Sequence, residues 1–549
     1  MKKIYTLAIA GLFAGASNAQ TAFFTPTTYR GAFPVTDLTP ATDWTNGWTN
    51  WNPENTPYGN PTVTVSSNIT TNTTWTTGTI VSLQNKVYVK NGAVLTIQPG
   101  VIIRGDLATQ GTLIITRGSK IIAQGTSSNP IIFTSGEAVG DRAEGDWGGV
   151  VILGSGRLNQ PGGIANIEGI AVSSDTEYGG SNDADSSGVF SFVRIEFPGI
   201  PLAPNKEING LTMGGVGSKT VINHVQVSFS GDDSFEWFGG KVDAKYLIAF
   251  RGLDDDFDTD FGYRGRVQFG LAVRDADMSD AAGDSNSFES DNDATGTGAL
   301  PRTSPIFSNI TTIGPKRNGT VTLPTGEKFE RAFYIRRNSA LSIFNSIAAS
   351  WEKGIYVKDA GTTDNFSTND SAVCGNNLIA SDISKAITVD ANSSQSFYSS
   401  IFTNDNNDST KTVSGIAWVN AFPSSLSAAA DYRLLPTSVA ATGASFSDAK
   451  FQGMVTGIAE SIPAVNKVGV YPNPATNYVT LTFELAESSK VIANLYDITG
   501  KLVSNIHSST MNSGVNTIEF NVNELPAGIY FANLNTGSLN KTMKLVVSK

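Results

Sequence analysis

Cysteine and histidine are almost missing from this 549-residue chain: Cys374 is the single cysteine, and His224 and His507 are the two histidines. One thiol excludes disulfides within the chain and any cysteine-based metal centre. It reads most simply as a small buried apolar residue. Two isolated histidines leave zinc chemistry and serine–histidine–aspartate triads without material. Charge is also scarce, at 16 % of residues, with a net value of −11 and a pI near 4.9. Nucleic acid would need clustered Lys and Arg to release counterions, so it is not an expected partner. Beyond the N-terminus no segment approaches the roughly 18 apolar residues of a membrane span, and no transmembrane segment is expected.

What is abundant is glycine, 55 residues of it, alongside short alternating apolar runs. That pattern favours many strands and turns, and the length favours two or three domains. Lys2 and Lys3, the apolar stretch Ile4 to Phe13 and the small residues Ser17-Asn18-Ala19 form a signal peptide over 1–19. No cysteine follows the cleavage site, so no lipid anchor is expected there.

The last stretch stands apart. VGVYPNPATNYVTL (468–481), NLYDITGKLV (494–503), LPAGIYFANL (525–534) and KTMKLVVSK (541–549) are alternating strands broken by Pro-Asn-Pro, Thr-Gly and Pro-Ala-Gly turns. They predict a small antiparallel β-sandwich over 468–549, after a linker at 461–467. These motifs closely resemble the type A, type IX secretion C-terminal sorting domain of Bacteroidetes. The resemblance implies the type IX secretion machinery as a partner, translocation across the outer membrane, and a secreted, extracellular or surface-attached product.

Between 65 and 460 short strands recur. Val225, Leu247 and Phe269 fall 22 apart, as do Val227, Ala249 and Leu271, with Gln226, Ile248 and Gly270 on the outward face. Such a period predicts a solenoid in which each repeat is one coil, stacked over a continuous apolar column. Phe235 and Phe257 share the period and predict an internal aromatic stack. The body resembles secreted right-handed parallel β-helix proteins, in which YRGAF…WTNGWTNW (29–51) and DYRLLPTSVAATGA (431–444) are usual flanks. The expected fold class is all-β: a right-handed parallel β-helix over 65–460, an N-terminal cap over 20–64 closing the open end, and the C-terminal sandwich. Trp44, Trp48, Trp51 and Trp237 are expected in capping and core packing rather than as a sugar platform.

The chemistry-bearing feature is acidic: GDDSFEWFGG (231–240), LDDDFDTDFGYRG (253–265) and RDADMSD (274–280). At the 22-residue period Asp233, Asp255 and Asp277 coincide, as do Glu236, Asp258 and Asp280. GDSNSFESDND (283–293) repeats Ser-Phe-Glu once more at 287–289. Stacked carboxylates lie about 4.8 Å apart, and at an effective dielectric of 20 each such pair costs about 3 kcal/mol. A cation, neighbouring Arg residues or raised pKa values must relieve that. Asp233, Glu236, Asp255, Asp258, Asp277 and Asp280 are therefore candidate Ca²⁺ ligands, since a hard cation takes six to eight oxygens. The bland alternative is turn chemistry neutralised by Arg251, Arg264, Arg266 and Arg274.

Gly231-Asp232-Asp233 is similar to the paired aspartates of polygalacturonases, but no Gly-His-Gly or Arg-Ile-Lys follows. A lyase needs a base, for which Arg264 or Arg274 would serve, and the spacing selects neither. His224 is placed on the outward strand face. No catalytic residue is assigned. The expected function is a non-enzymatic surface scaffold binding glycan or matrix, with acidic Ca²⁺-binding loops. The alternatives are a lyase or glycoside hydrolase acting on acidic polysaccharide, and a purely structural envelope protein.

Overall fold

The computed structural model describes residues 23–451 and 469–548, apart from 204–205, 281–282, 284, 318–321, 368–370, 381, 390–401, 403–404, 424–429, 472, 486–487, 498–500, 513 and 537–539. The signal peptide (1–19) and the linker (461–467) lie outside the described residues. The chain forms two units, Phe23–Gln452 and one containing Gly453–Lys549.

The first unit is a right-handed parallel β-helix. Its strands form a 16-stranded and a 10-stranded parallel sheet whose order follows the chain coil by coil. Every backbone group of a strand is met by the coil before and the coil after, so strands of four or five residues suffice. Many strands of the larger sheet bend in the middle: Gly188–Glu196 pairs Lys120–Gln124 with its first half and Ile131–Ser135 with its second. The bend is a left-handed residue, repeated at Phe192, His224, Tyr246, Phe269, Asn309, Asn345 and Asn376. Aromatic side chains seldom take that conformation; here mutual stacking offsets the strain. Ring centroids are 4.3 Å apart for Phe192–His224, 4.4 Å for His224–Tyr246 and 5.1 Å for Tyr246–Phe269. Each coil thus has three faces, the third supplied by the 10-stranded sheet.

Inside, the expected apolar column is present. Val225, Leu247, Phe235 and Phe257 are fully buried. Phe235 stacks on Phe257 at 5.6 Å, and the stack continues through Phe288 and Phe333. The 22-residue period holds for the step Val225 to Leu247 and slips at the next. Leu247 pairs with Gly270 and Ala249 with Ala272, because the turn Phe261–Gly265 is one residue longer than Gly239–Val242. Gly270 therefore points inward, and Phe269 takes the bend position. Arg274 and Asp256 form a fully buried ion pair (3.1 Å) beneath this region.

Most of the N-terminal segment runs along the flank, and its end, Val63–Val65, adds a parallel strand to Ile80–Leu83 of the first coil. Thr25 bonds Gln268, Ala32 bonds Thr311, Asn50 bonds Gln226 and Tyr58 bonds Glu196. It crosses the bend ladder, so Trp48 is fully buried beside His224. Along the flank many of its hydrogen bonds go to outward-facing strand side chains, while Thr62 N donates to Ile80 O at the edge of the first coil.

The second unit is a two-sheet antiparallel sandwich. Gly469–Tyr471, Tyr478–Leu485 and Gly514–Asn521 face Leu502–Met511, Ser489–Asp497, Gly528–Asn535 and Asn540–Val547. Val479, Leu481, Phe483, Val491, Leu495 and Leu534 fill the space between them.

Candidate cation site on the third face

The third face turns the alternation of its strands into a carboxylate ladder. In Phe235–Phe238 the residues Phe235 and Trp237 point into the coil, leaving Glu236 outward. Parallel pairing then aligns Thr212, Glu236, Asp258, Glu289 and Tyr334 along one row. The third rung is Glu289 rather than Asp280, since a loop after Val273 lengthens that coil and the Ser-Phe-Glu at 287–289 takes the register. Asp277 and Asp280 sit in the loop: Asp277 is exposed, and the amide of Asp280 donates to Leu253 O and to Ser285 Oγ. Neither joins the ladder.

Asp233 and Asp255 precede their strands and stitch coil to coil. The Asp255 amide donates to Asp233 Oδ1 (2.9 Å), and the Asn286 amide donates to Asp255 Oδ1 (2.6 Å). Asp255 is thereby a structural clip facing Arg274. Its carboxyl is pushed up to about 6 by burial, against the pull of that guanidinium. Asp233 has a second oxygen that reaches the cluster.

Two triads bring carboxylate oxygens within 4.8 Å of one another: Asp232, Asp233 and Asp254, and Asp233, Glu236 and Asp258. They open into a cleft of about 190 Å³ lined also by Glu168, Ile167, Ile208, Asn209, Thr212 and Phe238. Burial raises the carboxyls of Asp233, Glu236, Asp254 and Asp258 well above the usual range, and their mutual repulsion adds to it. Asp260 and Glu289 are raised for the same reasons.

The arginines expected to neutralise this charge are engaged elsewhere. Arg251 pairs Asp275 and Glu54, Arg264 pairs Asp183, Arg266 pairs Asp243, and Arg274 is held inside by Asp256. At the far end of the ladder Arg336 and Arg337 hold Glu289 and Asp291. Among the described residues no cation pairs with Asp233, Glu236, Asp254 or Asp258. Asn209, 5 % exposed, donates its amide to Glu236 and leaves Oδ1 without a partner; Asp258 Oδ1 is likewise unpartnered. Buried oxygen acceptors that meet no donor are groups suited to ligate a hard cation. The donor set fits Ca²⁺ in kind: carboxylates and an amide oxygen, without nitrogen or sulfur.

Sequence reasoning named Asp233, Glu236 and Asp258 within this cluster and missed Asp232, Asp254 and Asn209. Asp232 and Asp254 are a register pair one step before Asp233 and Asp255, a signal available from the same overlay. Asn209 had none, being 27 residues before Glu236 across an irregular coil. The tryptophans pack as expected, Trp237 inside the coil and Trp48 under the flank segment. His224 does point outward, but into the aromatic stack, and burial pushes its pKa down to about 4. Cys374 is fully buried.

A family model for the pectate-lyase-like β-helix domain matches residues 67–422. The chain belongs to that family. A second model, the secretion system C-terminal sorting domain, matches 469–548. The protein is accordingly a secreted β-helix carrying a type IX sorting tail, destined for the exterior or the outer-membrane surface. No helix among the described residues is long and apolar enough to cross a membrane. No curated relative matches the chain. The crystal structure of Dettilon tailspike protein aligns over 83 % of this chain and 87 % of its own, at 9 % identity and a TM-score of 0.22, too slight a likeness to carry an inference.

Proposed function

We propose that this exported β-helix is a non-enzymatic binding scaffold whose acidic cleft holds a divalent hard cation, Ca²⁺, and engages glycan or matrix through it. The observation that carries this reading is the missing countercharge: buried Asp233 and Glu236 converge with partly buried Asp254 and Asp258, and among the described residues no cation pairs with any of the four. A bound cation would relieve the mutual repulsion of these carboxylates. Coordination positions not filled by protein would be open to hydroxyl or carboxylate oxygens of a saccharide.

The catalytic alternative is favoured by one observation, the close approach of carboxyls with raised pKa, which suits a general acid beside a nucleophile or base. Against elimination chemistry, the described residues lining the cleft include no Lys, Arg or His to abstract a proton. The deciding experiment incubates the full secreted protein with immobilised neutral and acidic polysaccharides, with Ca²⁺ or with chelator. Retention that needs Ca²⁺, without new reducing ends or unsaturated uronate, is the expected outcome. Cleavage lost in chelator would replace the scaffold with an enzyme. Neither retention nor cleavage would leave a structural envelope role.

A further inference from the structure

Among the side chains lining the acidic cleft, Glu168, Asp232, Asp233 and Glu236 are acids and none is a cation. Asp254 and Asp258 complete the two triads and bring the carboxylates to six. The charges acting most strongly on Asp233, Glu236 and Asp258 are other carboxylates, all of them repulsive. Arg336 and Arg337, at the far end of the row, are held by Glu289 and Asp291. Six carboxylates against one divalent ion leave a charge of −4, and against two ions, one per triad, −2. With one ion the sum stays negative until four of the six carry protons. A loaded cleft therefore still repels an anionic guest.

The unmet hydrogen-bonding groups point the same way. Asn209 is 5 % exposed and gives its amide N–H to Glu236, while its Oδ1 meets no donor. Asp258 Oδ1 is likewise unmet. Both are acceptors, and Thr212 is the one hydroxyl among the lining side chains. A uronate or sulfate group brings further acceptors and no proton to share. A sugar hydroxyl brings lone pairs for the ion and an O–H for Asn209 or Asp258. The volume of about 190 Å³ lies below the roughly 300–1,000 Å³ of drug-sized pockets and suits a single sugar ring. Ile167, Ile208 and Phe238 supply an apolar wall for the C–H face of that ring.

We propose, on the reading that the cleft holds Ca²⁺, that it takes a neutral sugar residue through a vicinal diol and turns away uronate and sulfated sugars. Two neighbouring ring hydroxyls fill open coordination positions of the ion together. Their protons go to Asn209 Oδ1 and to a carboxylate oxygen such as Asp258 Oδ1. Selection against acidic sugars comes from like-charge exclusion, which a neutral ring does not meet. Because the space holds one ring, the occupant is a terminal or branch residue of a glycan.

The test titrates the full secreted protein by calorimetry, first with calcium chloride alone and then, at saturating calcium, with sugars. The sugars are the methyl glycosides of mannose, galactose and glucose, their 3-deoxy analogues, which lack a vicinal diol, and galacturonate. Calcium is expected to bind, and at least one neutral glycoside to bind only in its presence. The matching 3-deoxy analogue is expected to fail, and galacturonate to bind at least about tenfold more weakly. Glu168→Gln leaves both triads whole, so it is expected to retain calcium and to narrow the gap between neutral glycoside and galacturonate. No calcium binding overturns the cation-site reading, and this proposal with it. Calcium binding with no neutral glycoside bound, or with galacturonate bound as tightly, overturns this proposal alone. A 3-deoxy analogue that binds equally well removes the diol, and a gap untouched by Glu168→Gln removes charge exclusion as its cause.

Discussion

Replacing Glu236 by Gln should move stability in opposite directions with and without calcium. Glu236 is 8 % exposed, and its register partner is Asp258, one rung away. Carboxylates at a rung spacing of about 4.8 Å repel by about 3 kcal/mol at an effective dielectric of 20. Proton uptake relieves part of this, so the neutral amide is expected to stabilise the calcium-free protein by about 1–3 kcal/mol. The unit Phe23–Gln452 has about 430 residues, and an unfolding entropy of about 2.1 cal/mol/K per residue makes that a rise of roughly 1–3 °C. With calcium at a hundred times its dissociation constant the wild type gains about 2.7 kcal/mol, or roughly 3 °C. The variant, lacking a ligand charge, should gain less than half of that. Thermal melts in chelator and in calcium read both effects, and hydrogen exchange at Phe235–Trp237 reads them locally. A variant less stable in chelator, with an undiminished calcium gain, would refute the idea that Glu236 sits in an uncompensated cation site.

Other consequences follow from the same packing. Arg274→Met leaves Asp256 charged and fully buried and should cost about 3–5 kcal/mol in chemical denaturation; a loss under 1 kcal/mol would mean that Asp256 is held neutral. His224, with its pKa depressed to about 4, binds its proton less readily folded than unfolded. Its contribution is therefore complete above about pH 6.5 and lost as pH falls toward 4, by at most about 3 kcal/mol before solvent screening. His224→Phe, which keeps the stack between Phe192 and Tyr246, should flatten that part of the stability–pH curve, and an unchanged curve would contradict the assignment. Phe257→Ala removes the middle of the interior stack and should cost about 3–5 kcal/mol, with exchange protection falling first in the neighbouring coils. Deleting 469–549 should abolish appearance of the protein outside the cell, read by immunoblot of medium and cell fractions.

Much of the architecture was legible because a β-helix writes its coil length into the sequence. Phe235 and Phe257, or Val225 and Leu247, repeat at the coil period because each must fill the same slot in the column. Legibility failed where coils change length. One extra residue in Phe261–Gly265 shifted Phe269 from column to bend, and the longer loop after Val273 moved the third carboxylate from Asp280 to Glu289. The repeated Ser-Phe-Glu at 234–236 and 287–289 carried the true register, because inward Phe235 and Phe288 occupy one stack. The flank position of the N-terminal segment was not legible, since its partners Gln226, Gln268 and Thr311 are spread over four coils. Nor could sequence decide which acid each arginine serves: Arg264 stands beside the acidic run in the chain and pairs with Asp183, 81 residues away. That redistribution leaves Asp233, Glu236, Asp254 and Asp258 with no cation partner among the described residues.

A crystal soaked in calcium or a lanthanide shows whether the third-face carboxylates form a cation site. An anomalous peak about 2.3–2.6 Å from oxygens of Asp233 and Glu236 or Asp254, absent from Asp233→Asn crystals, is the predicted result. An ordered, empty cleft at millimolar calcium, with Asp233, Glu236 and Asp258 hydrogen-bonded to one another as neutral acids, would contradict it.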